Sequence, residues 1–409
     1  MAAVETAPST DSGARSKAPP DGAVVLGGDY RALGVVRSLG RRGVPVWVVR
    51  HGDDALAAVS RYARRRLPWP RSDEVGHINH LLRIADQGAD GWALIPTADE
   101  TAMLIGRHHE LLAARFRLTT PRWETLRFAY DKRLTYALGA ELGVDVPWTL
   151  YPRDRRDLLS VNLQWPVILK PAFKEHLNRL TAAKAWRVDS RDALLRRYDE
   201  ACTLVSPEIL MVQELIPGGG EAQFSYTALC ADGDVLAGLV ARRRRQYPPD
   251  FGRASTYVET VDCPPVQEAA LPLISRLRWT GLIEVEFKRD PRDGRFKLLD
   301  ANPRVWGWHT LCARAGVDFP YLLWLALRGE TVPPVRARTG VRWVRTTTDL
   351  PMAAREIARG RMSLRSYLRS LRGPLEGAIF AGDDPAPGVA EIPLLLLILV
   401  RRVLRGDAV

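Results

Sequence analysis

Little in this 409-residue chain could crosslink it, anchor it or hold it extended. There are only four cysteines, Cys202, Cys230, Cys263 and Cys312, and no two are close in sequence. That excludes a disulfide scaffold and a cysteine-based zinc site, and it suits a reducing compartment. No apolar run approaches the roughly 20 residues that a membrane-spanning helix needs; the longest, Leu394 to Val400, has seven. The first 21 residues are rich in Ala, Ser, Pro and Asp without an apolar centre, so they read as a disordered leader and not as a signal peptide. The expected location is the cytoplasm.

Lysine is scarce as well. Of 59 basic residues only seven are lysine (Lys17, Lys132, Lys170, Lys174, Lys184, Lys288, Lys297), which leaves 52 arginines. Where composition has shifted exposed cations to arginine, the remaining lysines mark places that need a compact ammonium instead of a planar fork. The net charge of +12 predicts an anionic partner without choosing among nucleic acid, a membrane surface and a phosphorylated small molecule. With 46% hydrophobic and 26% charged residues the composition is globular. At roughly 150 residues per domain the length implies two to three domains.

Ala23 to Gly27 is a short apolar strand that stops at Gly27-Gly28; helical spacing follows over Arg31 to Leu39, and Val44 to Val49 is a second strand. Trp92 to Ile95 repeats the pattern before a helix over Thr101 to Ala114, so residues 22–118 are expected to form a small doubly wound domain. Its glycines depart from G-x-G-x-x-G, which favours a tight turn beside a small-molecule cleft over a dinucleotide site. From Asp131 the style changes. A helix over Lys132 to Leu142 is followed by strands at Pro166 to Lys170 and Ile209 to Glu214. Hairpins then turn at Asp232-Gly233 and Asp293-Gly294, the mark of an antiparallel sheet. Gly316 to Arg328 reads as an apolar helix, and residues 331–409 as an appendage.

The chemistry concentrates between Ile283 and Arg304. Strand alternation puts Glu284 and Glu286 on one face and Asp300 and Asn302 on a common face of the next strand. Such hard oxygen ligands suit Mg²⁺ beside phosphate, although alternating charges also occur on ordinary solvated sheet faces. Lys170 closes a buried strand before Pro171, and Lys132 begins a helix, where an anion can meet ammonium and helix amides together. Gln213 to Ile216 leaves a strand into the Pro/Gly loop ending at Gly220, where backbone groups can meet a heterocycle.

Lys132, Lys170 in PVILKP, then QELIPGGGE, GLIEVEFKRD and LLDANPR follow the order and spacing seen in the ATP-grasp superfamily. The chain resembles its carboxylate-amine ligase branch, which includes D-aspartate ligase-like proteins, over about residues 22–330. The resemblance implies a mixed α/β and α+β architecture: an ATP-grasp domain of two α+β subdomains at 119–330 behind a Rossmann-like pre-ATP-grasp domain at 22–118. It further implies that Lys132 and Lys170 hold ATP phosphates, that the backbone of Gln213, Glu214, Leu215 and Ile216 bonds adenine, and that Glu221 reaches the ribose. Glu286, Asp300 and Asn302 would bind one or two Mg²⁺, with Mn²⁺ as a substitute, and Arg304 would hold the transferring phosphoryl group or acyl phosphate. Many members have Glu where this chain has Asp300, and Glu284 is an extra carboxylate, either a partner of the ligands or solvated.

Of the run Arg242 to Arg245, only Arg243 with Arg245, or Arg242 with Arg244, can face one site; Arg245 is taken as a contact to triphosphate or substrate. No nucleic-acid motif surrounds the run. Trp306 and His309 either line the substrate pocket or pack a helix start. Gly28, Asp29, Tyr30, Asp99 and Glu100 lie at strand ends where substrate would sit; Thr97 or Asp99 is expected first as a helix cap, and Asp99 or Glu100 is otherwise a group for an ammonium. Small carboxylates and amines resembling amino acids are the expected substrates, with Gly218 to Gly220 and Tyr247 to Ser255 as flexible covers. A phosphotransferase with a hydroxyl acceptor, or a non-catalytic ATP-binding regulator at a membrane, would fit the same nucleotide site. The tail from Glu391 to Arg405 either packs on the protein or lies at the inner face of an anionic membrane.

Overall fold

A computed structural model describes residues 18–52, 55–173, 178–248, 251–252, 254–391 and 393. The first unit is a five-stranded parallel sheet of Ala23–Leu26 (β1), Val46–Arg50 (β2), Ala63–Pro68 (β3), Ala93–Pro96 (β4) and Arg117–Leu118 (β5), in the order β3-β2-β1-β4-β5. β1 and β4 are buried throughout, as the continuous apolar runs of central parallel strands require. β3 was not expected, because its sequence ARRRLP reads as polar; it is an edge strand, where charged side chains face water and discourage further pairing. The expected single helix after β4 is broken at His108 into Asp99–Arg107 and His109–Ala113.

A four-stranded antiparallel sheet follows, of Thr149–Leu150 (β6), Val167–Pro171 (β7), Trp186–Val188 (β8) and Leu210–Glu214 (β9), in the order β6-β9-β7-β8. The largest sheet holds Gln223–Ala231 (β10), Asp234–Tyr247 (β11), Ala254–Val261 (β12), Gly281–Arg289 (β13), Phe296–Asn302 (β14), Arg342–Val344 (β15) and Leu375–Gly377 (β16), in the order β14-β13-β10-β11-β12-β15-β16. Both predicted hairpins are present, β10–β11 and β13–β14.

Three expectations change. The apolar helix begins at Phe319, because Gly316, at φ 104°, terminates a separate helix over His309–Ala315. Residues after 330 do not stand apart: β15 pairs with β12 and β16 with β15. Asp384, 1% exposed, accepts from Arg37 Nε at 2.9 Å and Ser60 Oγ at 2.7 Å in the first unit. Of the expected leader, residues 1–17 lie outside the described residues, whereas Ala18 O accepts from Arg117 and Pro20 O from Arg328.

One apolar core joins the first and last units. Val25, Leu33, Val36 and Leu39 pack with Leu229, Leu239, Trp306, Phe319, Trp324 and Trp343. Helix Tyr30–Gly40 makes that junction, and it approaches so closely at Gly34 that a Cβ there would lie 2.5 Å from the His309 ring. At about 1.5–3 kcal/mol per fully buried large apolar side chain, this junction is a principal source of stability.

Candidate active site

The three units enclose a cavity of about 470 Å³. Lys170 from β7, Gln213 to Ile216 at the end of β9, Arg243 from β11, Glu284, Glu286 and Lys288 from β13, and Asp300 and Asn302 from β14 all line it. Arg304, Lys132, and Tyr30, Arg31 and Asp99 of the first unit complete the wall.

The β13–β14 register sets Glu284 opposite Asn302 and Glu286 opposite Asp300; because Phe287 opposes Leu298, a bulge that passes over Leu299 is what brings the two alternating pairs to one space. Asn302 Nδ2 donates to Glu284 Oε2 at 3.0 Å and to Glu286 Oε1 at 2.8 Å, and its Oδ1 accepts from Arg304 Nη2 at 3.1 Å. Arg243 Nη2 meets Glu286 Oε2 at 3.2 Å. Burial pushes the Glu286 carboxyl up, but Arg243, Lys184, the Asn302 bond and Arg304 outweigh it and hold the group below its usual range. Glu284 is raised, first by burial and then by the charge of Glu286. It is 3% exposed and its Oε1 has no partner, so the solvated alternative is excluded.

The donor set fits a hard cation. Among the described residues no three His, Cys, Asp or Glu form a ready-made cage. Two carboxylates and one amide oxygen instead leave ligand positions for phosphate, as Mg²⁺ sites on nucleotides do. Asn302 would have to turn its amide to offer oxygen on the Glu286 side, because its NH₂ now faces both glutamates.

Lys132 Nζ bonds Asp300 Oδ1 at 2.8 Å, and burial, which lowers its pKa, is overcome by Asp300, Asp99 and Glu286. Lys170 Nζ approaches Tyr136 OH at 3.4 Å, its one hydrogen-bond partner among the described residues, and its pKa is lowered to about 7 by burial and then by Lys132. The helix start after Lys132 is not open to an anion, since Asp131 caps it through Arg133 N at 3.0 Å. On the expected adenine strip, Glu214 N donates to Trp148 O at 3.0 Å and Leu215 N to Pro166 O at 3.4 Å. Gln213 Nε2 bonds Thr149 Oγ1, and the Glu214 carboxylate is held by Lys297 and Arg292.

Several predicted residues are placed elsewhere. Arg245 does not reach the cavity: its guanidinium pairs with fully buried Asp349 at 2.7 Å and bonds Ser370 Oγ. The register shifts between Arg243, opposite Val258, and Arg245, opposite Tyr257, with Arg244 as the extra residue, so Arg243 and Arg245 point to opposite faces. Glu221 is outside the lining and bonds Gly219 N at 2.9 Å. Trp306 is fully buried against Trp308 and Phe319, and His309 Nε2 bonds Arg31 O at 3.0 Å; Gly307 and Trp308 line the cavity instead. Asp99 is not the cap, a place taken by Ala98 with Thr101; its carboxylate grips Arg304 Nε at 2.8 Å and Nη2 at 3.2 Å. Glu100 is exposed and Gly28 lines a separate small cleft, while Asp29 caps the first helix through Arg31 N and Ala32 N.

Neither expected cover is established. Lys288 Nζ donates to Ile216 O at 2.8 Å and Gly218 O at 2.7 Å, which pins the glycine loop, and residues 249–250 and 253 of the second lie outside the described set. Tail residues 392 and 394–409 also lie outside it, and no described helix is long and apolar enough to cross a membrane. Lys184, Lys288 and Arg31 line the cavity but were not singled out; lysine scarcity was the available signal for the first two.

Residues 206–348, from before β9 to just past β15, match the family described as ATP-grasp in the biosynthetic pathway with Ter operon. D-aspartate ligase of Enterococcus faecium is 25% identical over 305 residues, 69% of this chain and 70% of that protein. The carbamoyl phosphate synthase large chain, C-terminal section, of Methanopyrus kandleri is 23% identical over 210 residues, 49% of this chain. The chain spans only 38% of the length of that protein. The crystal structure of L-amino acid ligase from Bacillus licheniformis covers 78% of this chain and 79% of its own at a TM-score of 0.61 and 16% identity, a likeness of fold.

Proposed function

We propose, given that the chain belongs to the ATP-grasp superfamily in its carboxylate-amine ligase branch, that it joins a small-molecule carboxylate to an amine, consuming ATP and releasing ADP and phosphate. The observation that carries this reading is the convergence of Glu286, Asp300 and Asn302 with Lys132, Lys170 and Arg304 on one cavity. Lys132 and Lys170 would hold phosphates, and the turn at Ile216 would meet the adenine edge beyond the amides already used by Glu214 and Leu215. Glu286, Asp300 and, after its amide turns, Asn302 would hold Mg²⁺, which neutralises phosphate charge when bound.

Arg304 is the group for the acid. Asp99 and Asn302 orient its guanidinium, and Asp99 keeps it firmly charged against the opposing effect of burial. It would hold the carboxylate in line with the terminal phosphoryl group and then bind the anionic acyl phosphate and the tetrahedral species formed by the amine. Among the described residues no cysteine or histidine lines the cavity, and the reading needs none, because the acyl phosphate forms by direct attack of the carboxylate on phosphorus. Substrates resembling amino acids are favoured by the names of two similar proteins, D-aspartate ligase and L-amino acid ligase.

The test supplies acids labelled with oxygen-18 in the carboxylate, a panel of amino acids and ATP. One label in released phosphate together with an amide product supports ligation, because a carboxylate oxygen must have attacked phosphorus. A phosphorylated product without free phosphate establishes a kinase, and AMP with pyrophosphate overturns the scheme in favour of adenylation.

A further inference from the structure

Five of the seven lysines lie among the described residues, and four are accounted for by their bonds. Lys132 and Lys297 meet carboxylates, Lys170 meets Tyr136, and Lys288 ties down the loop at Ile216 and Gly218. Lys184 differs. Its ammonium lines the cavity and has one acceptor among the described residues, Gly252 O at 3.2 Å, which leaves two of its three donors without a partner in that set.

Its backbone is as unusual as its bonding. Lys184 ends the short helix Arg179–Ala183 at φ 67° and ψ −42°. Helices that end with positive φ normally use glycine, and this φ/ψ pair lies near the strained γ-turn and not in the left-handed helical basin. A chain with seven lysines and 32 glycines therefore keeps a lysine where glycine would be more comfortable. Strain retained at a cavity wall points to use of the side chain. The charges that act on this ammonium locate it: Glu286 and Asp300 attract it, while Arg243 and Lys132 repel it. Those are the groups around the β13–β14 pair, where the terminal phosphoryl group would sit.

We infer that Lys184 is a third phosphate-binding lysine, one that leaves Gly252 O to meet the terminal phosphoryl group of ATP. This assignment rests on the ATP-dependent reading above. It separates Lys184 from Lys170: loss of Lys170 weakens ATP and ADP together, whereas loss of Lys184 weakens ATP alone. A charge-assisted bond of this kind corresponds to about a 10- to 100-fold change in affinity.

The test measures binding of ATP and of ADP by calorimetry, each with Mg²⁺ and without acid or amine, to the full chain and to Lys184→Met, Lys184→Arg and Lys184→Gly. The expected result is an ATP affinity about 10- to 100-fold lower in the Met and Gly variants with ADP unchanged, and partial recovery in the Arg variant. Lys184→Gly should melt above Lys184→Met, since glycine relieves the backbone; lower ATP affinity in this more stable protein separates binding from folding. An unchanged ATP-to-ADP ratio in both variants overturns the inference, as does an equal loss of both nucleotides. Failure of the unsubstituted chain to bind either nucleotide removes the ATP-dependent reading itself, and this inference with it.

Discussion

ATP affinity should fall as pH rises, and Lys170 should be the cause. Its pKa is lowered to about 7 by burial and by the neighbouring charge of Lys132, whereas Asp300 keeps Lys132 charged throughout. Only the ammonium form can hold phosphate. In the free protein about half of Lys170 is protonated at pH 7, and above pH 8 the competent fraction falls about tenfold per unit, taking apparent affinity with it. The phosphates restore the proton in the complex, so at pH 8 binding should take up close to one proton per ATP. Calorimetry in buffers of different ionisation enthalpy reads both quantities, and above pH 8 the nucleotide's own phosphate no longer titrates. Lys170→Met should bind ADP, which Lys184 does not meet, weakly and with no pH slope, because a thioether fills the volume without a charge to lose. A flat profile in the unsubstituted chain, or the same slope in Lys170→Met, would refute the reasoning.

The two arginines on either side of the bulge should separate stability from catalysis. Arg245→Met leaves fully buried Asp349 without its guanidinium, a loss of about 3–5 kcal/mol that should appear as a lower melting temperature with nucleotide affinity intact. Arg243→Met should instead keep its melting temperature and lose phosphate release, since its partner Glu286 lies in the cavity wall. Glu286→Gln and Asn302→Ala should reduce phosphate release by about 100-fold or more with the fold unchanged by circular dichroism; normal turnover in either would remove the metal assignment. Glu284→Gln should be much milder, because an amide oxygen can still accept from Asn302.

The β13–β14 pair was legible only in part: period-two alternation grouped Glu284 with Glu286 and Asp300 with Asn302, and the Asp293-Gly294 turn marked the hairpin, but a register shift that passes over Leu299, which no residue in the sequence marks, is what sets Glu286 opposite Asp300 and brings those faces together. Lys132 and Lys170 were legible through scarcity. Arg245 was misassigned because alternation holds only while one residue opposes one, and nothing in a run of four arginines marks where a bulge will absorb the extra residue. β3, β15 and β16 escaped notice for a related reason. They are short or charged segments at or near sheet edges, and their conformation comes from the neighbour they pair with more than from their own residues. Asp99 was read as a helix cap because its partner, Arg304, lies 205 positions away.

The junction made by helix Tyr30–Gly40 also bears on how the chain is synthesised. Arg37 finds Asp384 only 347 positions later, and the apolar face around it is covered by Trp306, Phe319 and Trp343. At about 5–20 residues per second the ribosome takes roughly 20 to 70 seconds to supply that length. During this interval the first sheet can form but its helix has nothing to lie against, so the nascent chain carries an open apolar face and an unneutralised guanidinium. A fragment ending at residue 118 should remain in the same half-covered condition and associate with itself, whereas the complete chain closes that face from within.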